Sequence, residues 1–528
     1  MLKLPFKGLG SKNPNFPLLY YSIFPNDETN ISYYLRLFPT DDYCCHVGCM
    51  DYNDHFISRD LVKNTVLALL LALSIGSCTK HKPKAVNSEI QSSAKFISES
   101  ENFRANGTWW FQAKSSKLNN LVEQALLNSP DIQEVFLRLE ASMLVAKQSG
   151  SSKWPEVTAR IGGSQNYDHA NSKTSNFRQF SSGFMASYEL DVFGKIRNKS
   201  KVADEDVAQS SLDLVTAKLS LVTEIVLQWY SYQNNLNRLI LIEEQIKLQK
   251  LVNDEIERSY KRGVSTFELL TFSKKNLLRF EDDRNETSKA LQLSKLVLGR
   301  LLGHEGYAED IPLEKESFFI NAPTSGFPAD LLRNRPDLQK AESVYRQSLL
   351  KWRIAKADRL PSLSLSISSD NRAGKIKDLF DNWLLSLAAN LAGTLIDGGY
   401  RKQEVKNAEK AIEITIKNFK RIYLDAVLEV NQLLVSVEWA NKILIDRKQQ
   451  LHLQNNYSIT KEREYQRGLV SSRDFYLERI SLLEQKVLLL DAEYRLNETH
   501  INLIRAIGGD WFNLEKTNSE PISNGEAK

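Results

Sequence analysis

The amino-acid sequence predicts a mainly α fold that carries two β-hairpins, duplicated within one chain, whose strands contribute to a transmembrane β-barrel shared between copies. Three observations predict it. Two stretches alternate apolar and polar residues with period two, the mark of a half-buried strand. Far longer runs with helical periodicity flank both stretches. The whole arrangement occurs twice at a spacing near two hundred residues, which indicates tandem halves and not a solenoid array.

The second hairpin is the clearer one. In PSLSLSISSD, Leu363, Leu365 and Ile367 alternate with serines. After a polar loop, Trp383, Leu385, Leu387, Ala389, Leu391, Gly393 and Leu395 share a face. The predicted strands are about 361–370 and 383–396. In the first hairpin Val157, Ala159 and Ile161 alternate, then a polar loop (DHANSKTSN) leads to Phe184, Ala186, Tyr188, Leu190 and Val192. These predict strands at about 156–167 and 180–192. The copies keep register: Pro155 and Pro361, Asp191 and Asp397, and Pro130-Asp131 and Pro336-Asp337 are each 206 positions apart. Tyr260-Lys-Arg-Gly263 and Tyr465-Gln-Arg-Gly468 are 205 apart, as are Leu302-Gly303 and Ile507-Gly508.

Each half therefore reads helix, hairpin, long helix, return helix. The first half (116–326) places its long helix at about 195–261 and its return helix at about 267–302. The second (327–512) places them at about 401–466 and 474–507. Pro130 and Pro336 suit a first helical turn, and the acid after each suits the helix dipole. A long helix of roughly 65 residues spans on the order of 100 Å. The shorter helix before each hairpin and the return helix nearly equal it when stacked end to end. Each half thus supplies one continuous rod and one assembled from two pieces, as a long coiled-coil cylinder wall needs. A soluble four-helix bundle would leave both hairpins unexplained.

Strands of about ten residues match the length that crosses an outer membrane when tilted. Four strands do not close a barrel, and an open edge is forbidden in lipid. Two chains would give eight strands and three would give twelve; spacing does not choose. Tyr188 and Trp154 suit membrane interfaces. The hairpin loops would face outside and the rods would hang into the periplasm.

The N-terminal region carries an address. Arg59 and Lys63 precede TVLALLLALSIGSC, an apolar run too short to span a bilayer stably, so 50–77 reads as a signal peptide. Ile75-Gly76-Ser77-Cys78 resembles a bacterial lipoprotein cleavage box, which would make Cys78 the lipidated N-terminus. An uncleaved anchor helix is the other reading. Residues 1–49, with Cys44, Cys45, His46 and Cys49, do not fit ahead of a signal peptide; a start misassigned upstream of Met50 accounts for them better than a zinc site. No cysteine follows Cys78, so the exported part has no disulfide framework. Residues 78–115 read as an extended arm, with Trp109-Trp110-Phe111 packing it against the body, and 513–528 as a polar tail.

A net charge of +4 with 25% charged residues gives no nucleic-acid signal. The seven histidines are scattered, and no metal-ligand spacing, nucleophile elbow or phosphate loop is present, so the expectation is no enzyme, no metal and no cofactor beyond the lipid on Cys78.

Six motifs together carry a resemblance: SYELDVFGKIR (187–197), FPADLLRNRPDLQKAE (327–342), LPSLSLS (360–366), LIDGGYRKQ (395–403), YQRGLVSSRDFY (465–476) and IRAIGGDW (504–511). The chain resembles the TolC-type outer membrane efflux proteins, in their lipoprotein branch, the NodT-like outer membrane factors of RND pumps. The likeness covers about 109–512. It implies a TolC-like homotrimer, a twelve-stranded barrel continuous with a twelve-helix tunnel, and a passive exit duct served by a periplasmic adaptor and an inner-membrane RND pump.

The two breaks become helix–turn–helix tips at the periplasmic mouth. The resemblance makes Tyr260, Gly263, Ser265, Tyr465, Gly468, Val470 and Ser471 adaptor-contacting residues. It makes Asp474 a pore-facing gate acid, which would favour cations in a ring of three. The plainer reading is that Asp474 starts the return helix, favoured there by the dipole. Glu268 is expected in the equivalent place of the first tip. Leu477 occupies the next turn, against a second acidic ring. Arg335 is expected to pair within the middle region. A protein-secretion exit channel and a lipid-anchored coiled coil without a pore remain the alternative functions.

Overall fold

The computed structural model describes residues 108–170, 173–305, 320, 330–381 and 383–509. The extension 1–49, the signal peptide, Cys78 and most of its arm, most of the segment 303–326 and the tail 513–528 lie outside the described residues.

Local chemistry sets the helix ends. A short 3-10 turn, Trp109–Ala113, leads into α1 (Ser116–Asn128), where the Ser115 hydroxyl accepts from the Leu118 amide. Trp109 and Trp110 are buried with Leu118, Val222, Trp229, Leu298 and Ile501 in the largest core cluster, so this end of the arm packs on the body. Pro130 opens α2 (Pro130–Ser151) and Pro336 opens α6 (Pro336–Ala357). Proline costs nothing in a first turn, where its missing N–H would have no partner.

α3 (Lys195–Lys261) and α7 (Tyr400–Gln466) are 67 residues each, about 100 Å. α4 (Phe267–Leu301) and α8 (Ser472–Ala506) return, 35 residues each. α5 (Leu331–Asn334) is a single turn before α6.

The helices form a wall of four rods in the order α2 with α4, then α3, then α6 with α8, then α7. The composite rods join end to end. Gly303 ends the α4 turn at φ +84°, and a Cβ there would lie 2.8 Å from the carbonyl oxygen of Asn128, which ends α1 just before α2. Arg300 reaches across this joint to Asp131 at 3.1 Å. Gly508 stands in the same relation to Asn334 before α6. α3, inside the wall, buries residues along its whole length. α7, at the flank, buries only Val405, Phe419, Tyr423, Ala426, Val430, Leu444 and Ser458. Ile414, Leu424, Leu428, Trp439 and Ile445 stay exposed along α7, as do Phe136, Leu137, Leu144, Phe272, Leu278 and Leu293 on the opposite flank, α2 and α4.

The hairpins make one antiparallel sheet in the order β1-β2-β3-β4, with β1 (Glu156–Ala170), β2 (Lys173–Leu190), β3 (Ser362–Ala373) and β4 (Trp383–Ala392). The register aligns the alternation of all four strands. Val157, Ala186, Ile367 and Leu387 are successive partners across the sheet, as are Ala159, Phe184, Ser369 and Leu385. One face is therefore apolar and exposed: Ile161 is 86% and Leu387 77% accessible. The other face carries Thr158, Arg160, Ser181, Ser187, Ser364, Ser366, Ser368 and Asp370.

The strand ends depart from the sequence reading. The first hairpin stays paired to Ala170 and Lys173, so most of the expected polar loop is ladder. Hydropathy marks where apolar surface is needed, whereas backbone pairing continues wherever two strands stay adjacent. At the other end β2 stops at Leu190 and β4 at Ala392, short of 192 and 396. The chain leaves the ladder there because Asp191 and Asp397 serve the long helices. Asp191 accepts from the amides of Ile196 and Arg197 at 2.9 Å and from Arg197 Nε. Asp397 accepts from Gly399 and Arg401 amides. Burial works against the Asp191 charge, but these donors outweigh it and hold its carboxyl below the ordinary value. α8 begins at Ser472, two residues ahead of the expected 474, because Ser471 caps it.

Candidate functional site: the helical tips and the hairpin sheet

Both tips have the same construction. Arg262 and Arg467 end α3 and α7, and Gly263 and Gly468 follow at φ +71° and +73°. The Gly263 amide bonds to the Tyr260 carbonyl at 2.8 Å and the Val264 amide to Ser259 at 2.9 Å. Gly468 and Leu469 make the same two bonds, to Tyr465 and Glu464. This pair of bonds is the Schellman ending, which needs a left-handed residue that glycine supplies without a Cβ clash. Thr266 and Ser471 then cap α4 and α8, accepting from Leu269 and Asp474 amides.

The expected tip residues are thus brought together in two clusters. Tyr465 stacks on Phe475 with ring centroids 4.6 Å apart, and Tyr260 lies 6.1 Å from Phe267. Ser265 and Val470 precede the caps and are half-buried. The sequence reading missed Val264 and Leu469, which are 80% and 69% exposed at the apices. A signal was present. In a Schellman ending the residue after the glycine usually packs on an apolar residue five positions earlier. Here those positions are Ser259 and Glu464, so both apolar side chains project into solvent.

Asp474 is exposed in the first turn of α8, and Arg473 donates to its Oδ1 at 3.1 and 3.2 Å. Slight burial disfavours its charge, but the Ser471 hydroxyl, Arg473 and Lys461 prevail and hold the carboxyl below its ordinary value. It stays ionised at neutral pH. Glu268 is exposed in the first turn of α4. It is not the positional equivalent of Asp474. With Thr266 and Ser471 as matching caps, Glu268 corresponds to Arg473 and Asp474 to Leu269, so Glu268 points about 100° around its helix from that place. On the next turn of α8 Leu477 is exposed, and Glu478 turns inward to accept from Gln454 at 2.7 Å. Burial raises the Glu478 carboxyl, with Gln454 and Lys461 opposing. Ser472 ties the second tip to α3 through Glu255 at 2.7 Å.

Arg335 is structural. Its guanidinium bonds Asp337 at 2.8 Å, Glu429 of α7 at 2.7 Å and the Ala506 carbonyl ending α8 at 2.6 Å. Burial opposes its charge, but Asp337 and Glu429 more than compensate and raise its pKa.

At the other end of the wall the sheet leaves β1 and β4 without a lateral partner among the described residues. No described helix is long and apolar enough to cross a membrane. An apolar face on every strand, a polar face behind it and two free edges form an arc of a barrel.

The family described as outer membrane efflux protein matches residues 121–304 and 327–509, the two halves of the duplication. The pyoverdine export outer membrane protein OpmQ of Pseudomonas aeruginosa is 23% identical over 435 residues, covering 76% of this chain and 87% of its own. Among solved structures, the Neisseria gonorrhoeae MtrE outer membrane channel in its open state aligns at a TM-score of 0.72 with 19% identity, covering 82% of this chain and 98% of its own. The Campylobacter jejuni CmeC outer membrane channel aligns at 0.71 with 19% identity, covering 84% and 98%. The fold is that of the TolC-like outer membrane channels, and the chain belongs to the outer membrane efflux protein family.

Proposed function

We propose that this protein is the exit duct of a tripartite efflux system, passing small molecules from the helical tunnel through a shared barrel to the outside. The observation that carries it is the sheet register. Four strands present one apolar face to lipid and one polar face to a lumen, while β1 and β4 stay open. Open edges are not tolerated in hydrocarbon, so β4 of one copy pairs with β1 of the next. The wall repeats the logic, because the exposed apolar residues of α7 match those of α2 and α4 on the opposite flank. Three copies close twelve strands and twelve rods into a homotrimer.

The two Schellman tips, with Val264 and Leu469 at their apices, then form the periplasmic mouth. They are the surface for a periplasmic adaptor, behind which an inner-membrane pump supplies cargo. Asp474 lies at that mouth as its gate acid, with Glu268 as a further acid on the first tip. Cys78, in its lipoprotein box, carries the lipid that anchors the arm to the outer membrane. An apolar sheet face has no use in a coiled coil without a pore, which disfavours that alternative.

The test is reconstitution of the purified protein in planar bilayers together with its mass in detergent. A trimer that conducts is expected. A monomer, or a trimer without current, would overturn the reading.

A further inference from the structure

A cleft of about 610 Å³ opens on the polar face of the sheet. Arg160 of β1 and Arg372 of β3 stand on its two sides, with Asp370 beside Arg372 and with Ser181 and Gly183 of β2 as the floor. The register explains the depression. Arg160 pairs with Gly183, Gly183 pairs with Asp370, and Ser181 pairs with Arg372, so the smallest side chains lie between the charged ones. A Cβ at Gly183 would fall 2.6 Å from the Ser369 carbonyl oxygen and 3.0 Å from Asp370 Oδ1, so position 183 stays glycine and the Asp370 carboxylate leans over this part of the floor. Strands neighbour at about 4.8 Å and rise about 3.4 Å per residue, and Arg372 lies two residues along β3 from Asp370, which leaves Arg160 and Arg372 roughly 12 Å apart at their backbones, within reach of two long side chains that converge above the floor.

Neither arginine makes an ion pair or side-chain hydrogen bond among the described residues, although Asp370 lies within the same cleft; the Asp370 carboxylate accepts from the Ser368 hydroxyl at 3.2 Å. Two guanidinium forks on either side of a cleft that holds one carboxylate can take a planar or tetrahedral oxyanion at the Ser181 end of the floor, each fork through paired N–H donors. Asp370 leaves one net positive charge per cleft. Three copies place six arginines around the lumen, where low-dielectric walls focus the field on a passing ion.

We propose that Arg160 and Arg372 form an anion-binding station in the barrel lumen, which takes the carboxylate, sulfate or phosphate groups of solutes in transit. It rests on the duct reading for its place in a lumen. Its position is separate from the tips, where Asp474 is acidic. The outgoing face of the channel would thus draw anionic groups that the mouth does not favour.

Inorganic tripolyphosphate added on the hairpin-loop side of a bilayer tests it, because the probe reaches the barrel without passing the tips. Block of the wild-type current that weakens with salt is expected. R160Q/R372Q should raise the half-blocking concentration by about tenfold or more, the worth of losing charge-assisted contacts. D370N should lower it. Unchanged block in R160Q/R372Q overturns the station while leaving the duct intact. Should the wild-type protein carry no current, equilibrium dialysis of tripolyphosphate against the detergent-solubilised protein separates the two readings. Binding that R160Q/R372Q abolishes keeps the station and overturns the duct, and absence of binding overturns the station.

Discussion

Arg335 donates to the carbonyl oxygen of Ala506 at 2.6 Å, closing the joint between the end of α8 and the start of α6. The same guanidinium holds Asp337 on α6 and Glu429 on α7. One side chain therefore holds two helix ends of the composite rod to each other and to the middle of α7.

Replacing Arg335 with Ala should cost about 2 kcal/mol. Breaking a buried pair costs more, but Asp337 and Glu429 are over a third exposed and partly screened by water. Denaturant unfolding of the detergent-solubilised protein would show it. A variant within 0.5 kcal/mol of wild type, about the spread of neutral surface changes, would refute the stitching role.

Asp191 joins strand to rod, and its folded pKa is depressed below 3.8. A depressed carboxylate contributes stability that is complete above its unfolded value and lost as pH falls through its folded one. D191N should lower stability at pH 7 by about 1 kcal/mol, the usual worth of a helix-terminal acceptor. It should also flatten the acid limb below about pH 4. Parallel acid limbs in the two proteins would contradict this account.

His500 holds Ile320 against α8. Its Nδ1 lies 2.6 Å from the Ile320 carbonyl, and Asn497 accepts the Ile320 amide at 3.1 Å. Burial lowers the His500 pKa below 6.5, with the Ile320 bond opposing. The folded state therefore prefers neutral imidazole, and its stability share is lost as pH falls from about 6.5 toward the depressed value. Amide exchange at Ile320, corrected for its intrinsic rate, should quicken between pH 7.5 and 5.5. In H500Q it should not respond to pH over that range.

V264D and L469D should reduce cross-linking to the adaptor severalfold without moving the unfolding midpoint, since both side chains are exposed. Gly468→Val forces a β-branched residue to φ +73° and should destabilise the tip by about 1–2 kcal/mol as well. Full cross-linking by L469D would remove the docking role of that apex.

Cys78→Ser should abolish palmitate labelling of the exported protein. Persistent labelling would place the lipid elsewhere, because no other cysteine follows in the chain.

The alternation of Leu363, Leu365 and Ile367 with serines was legible because a strand in lipid must segregate its faces residue by residue. The offsets between Asp191 and Asp397 and between Gly263 and Gly468 exposed the duplication. Helix starts at Pro130 and Pro336 were legible because a proline has only a few acceptable places. The outer ends of β1 and β2 were not, since backbone pairing needs no particular side chain. Glu268 was misplaced by one position because the offset changes from 206 to 205 between the hairpin and the tip, and only the caps Thr266 and Ser471 fix the count there.

By itself the sequence determined the periodicities and the turns, which depend on neighbours within a few residues, and the repeat, which shows as the same local patterns recurring at one offset. Tertiary structure decided which rods lie side by side and brought Arg335 to Glu429, Arg160 to the rim opposite Arg372, and Val157 into one row with Leu387. Those relationships depend on register between segments up to about two hundred residues apart, and that register is set by packing and backbone pairing rather than by any local pattern.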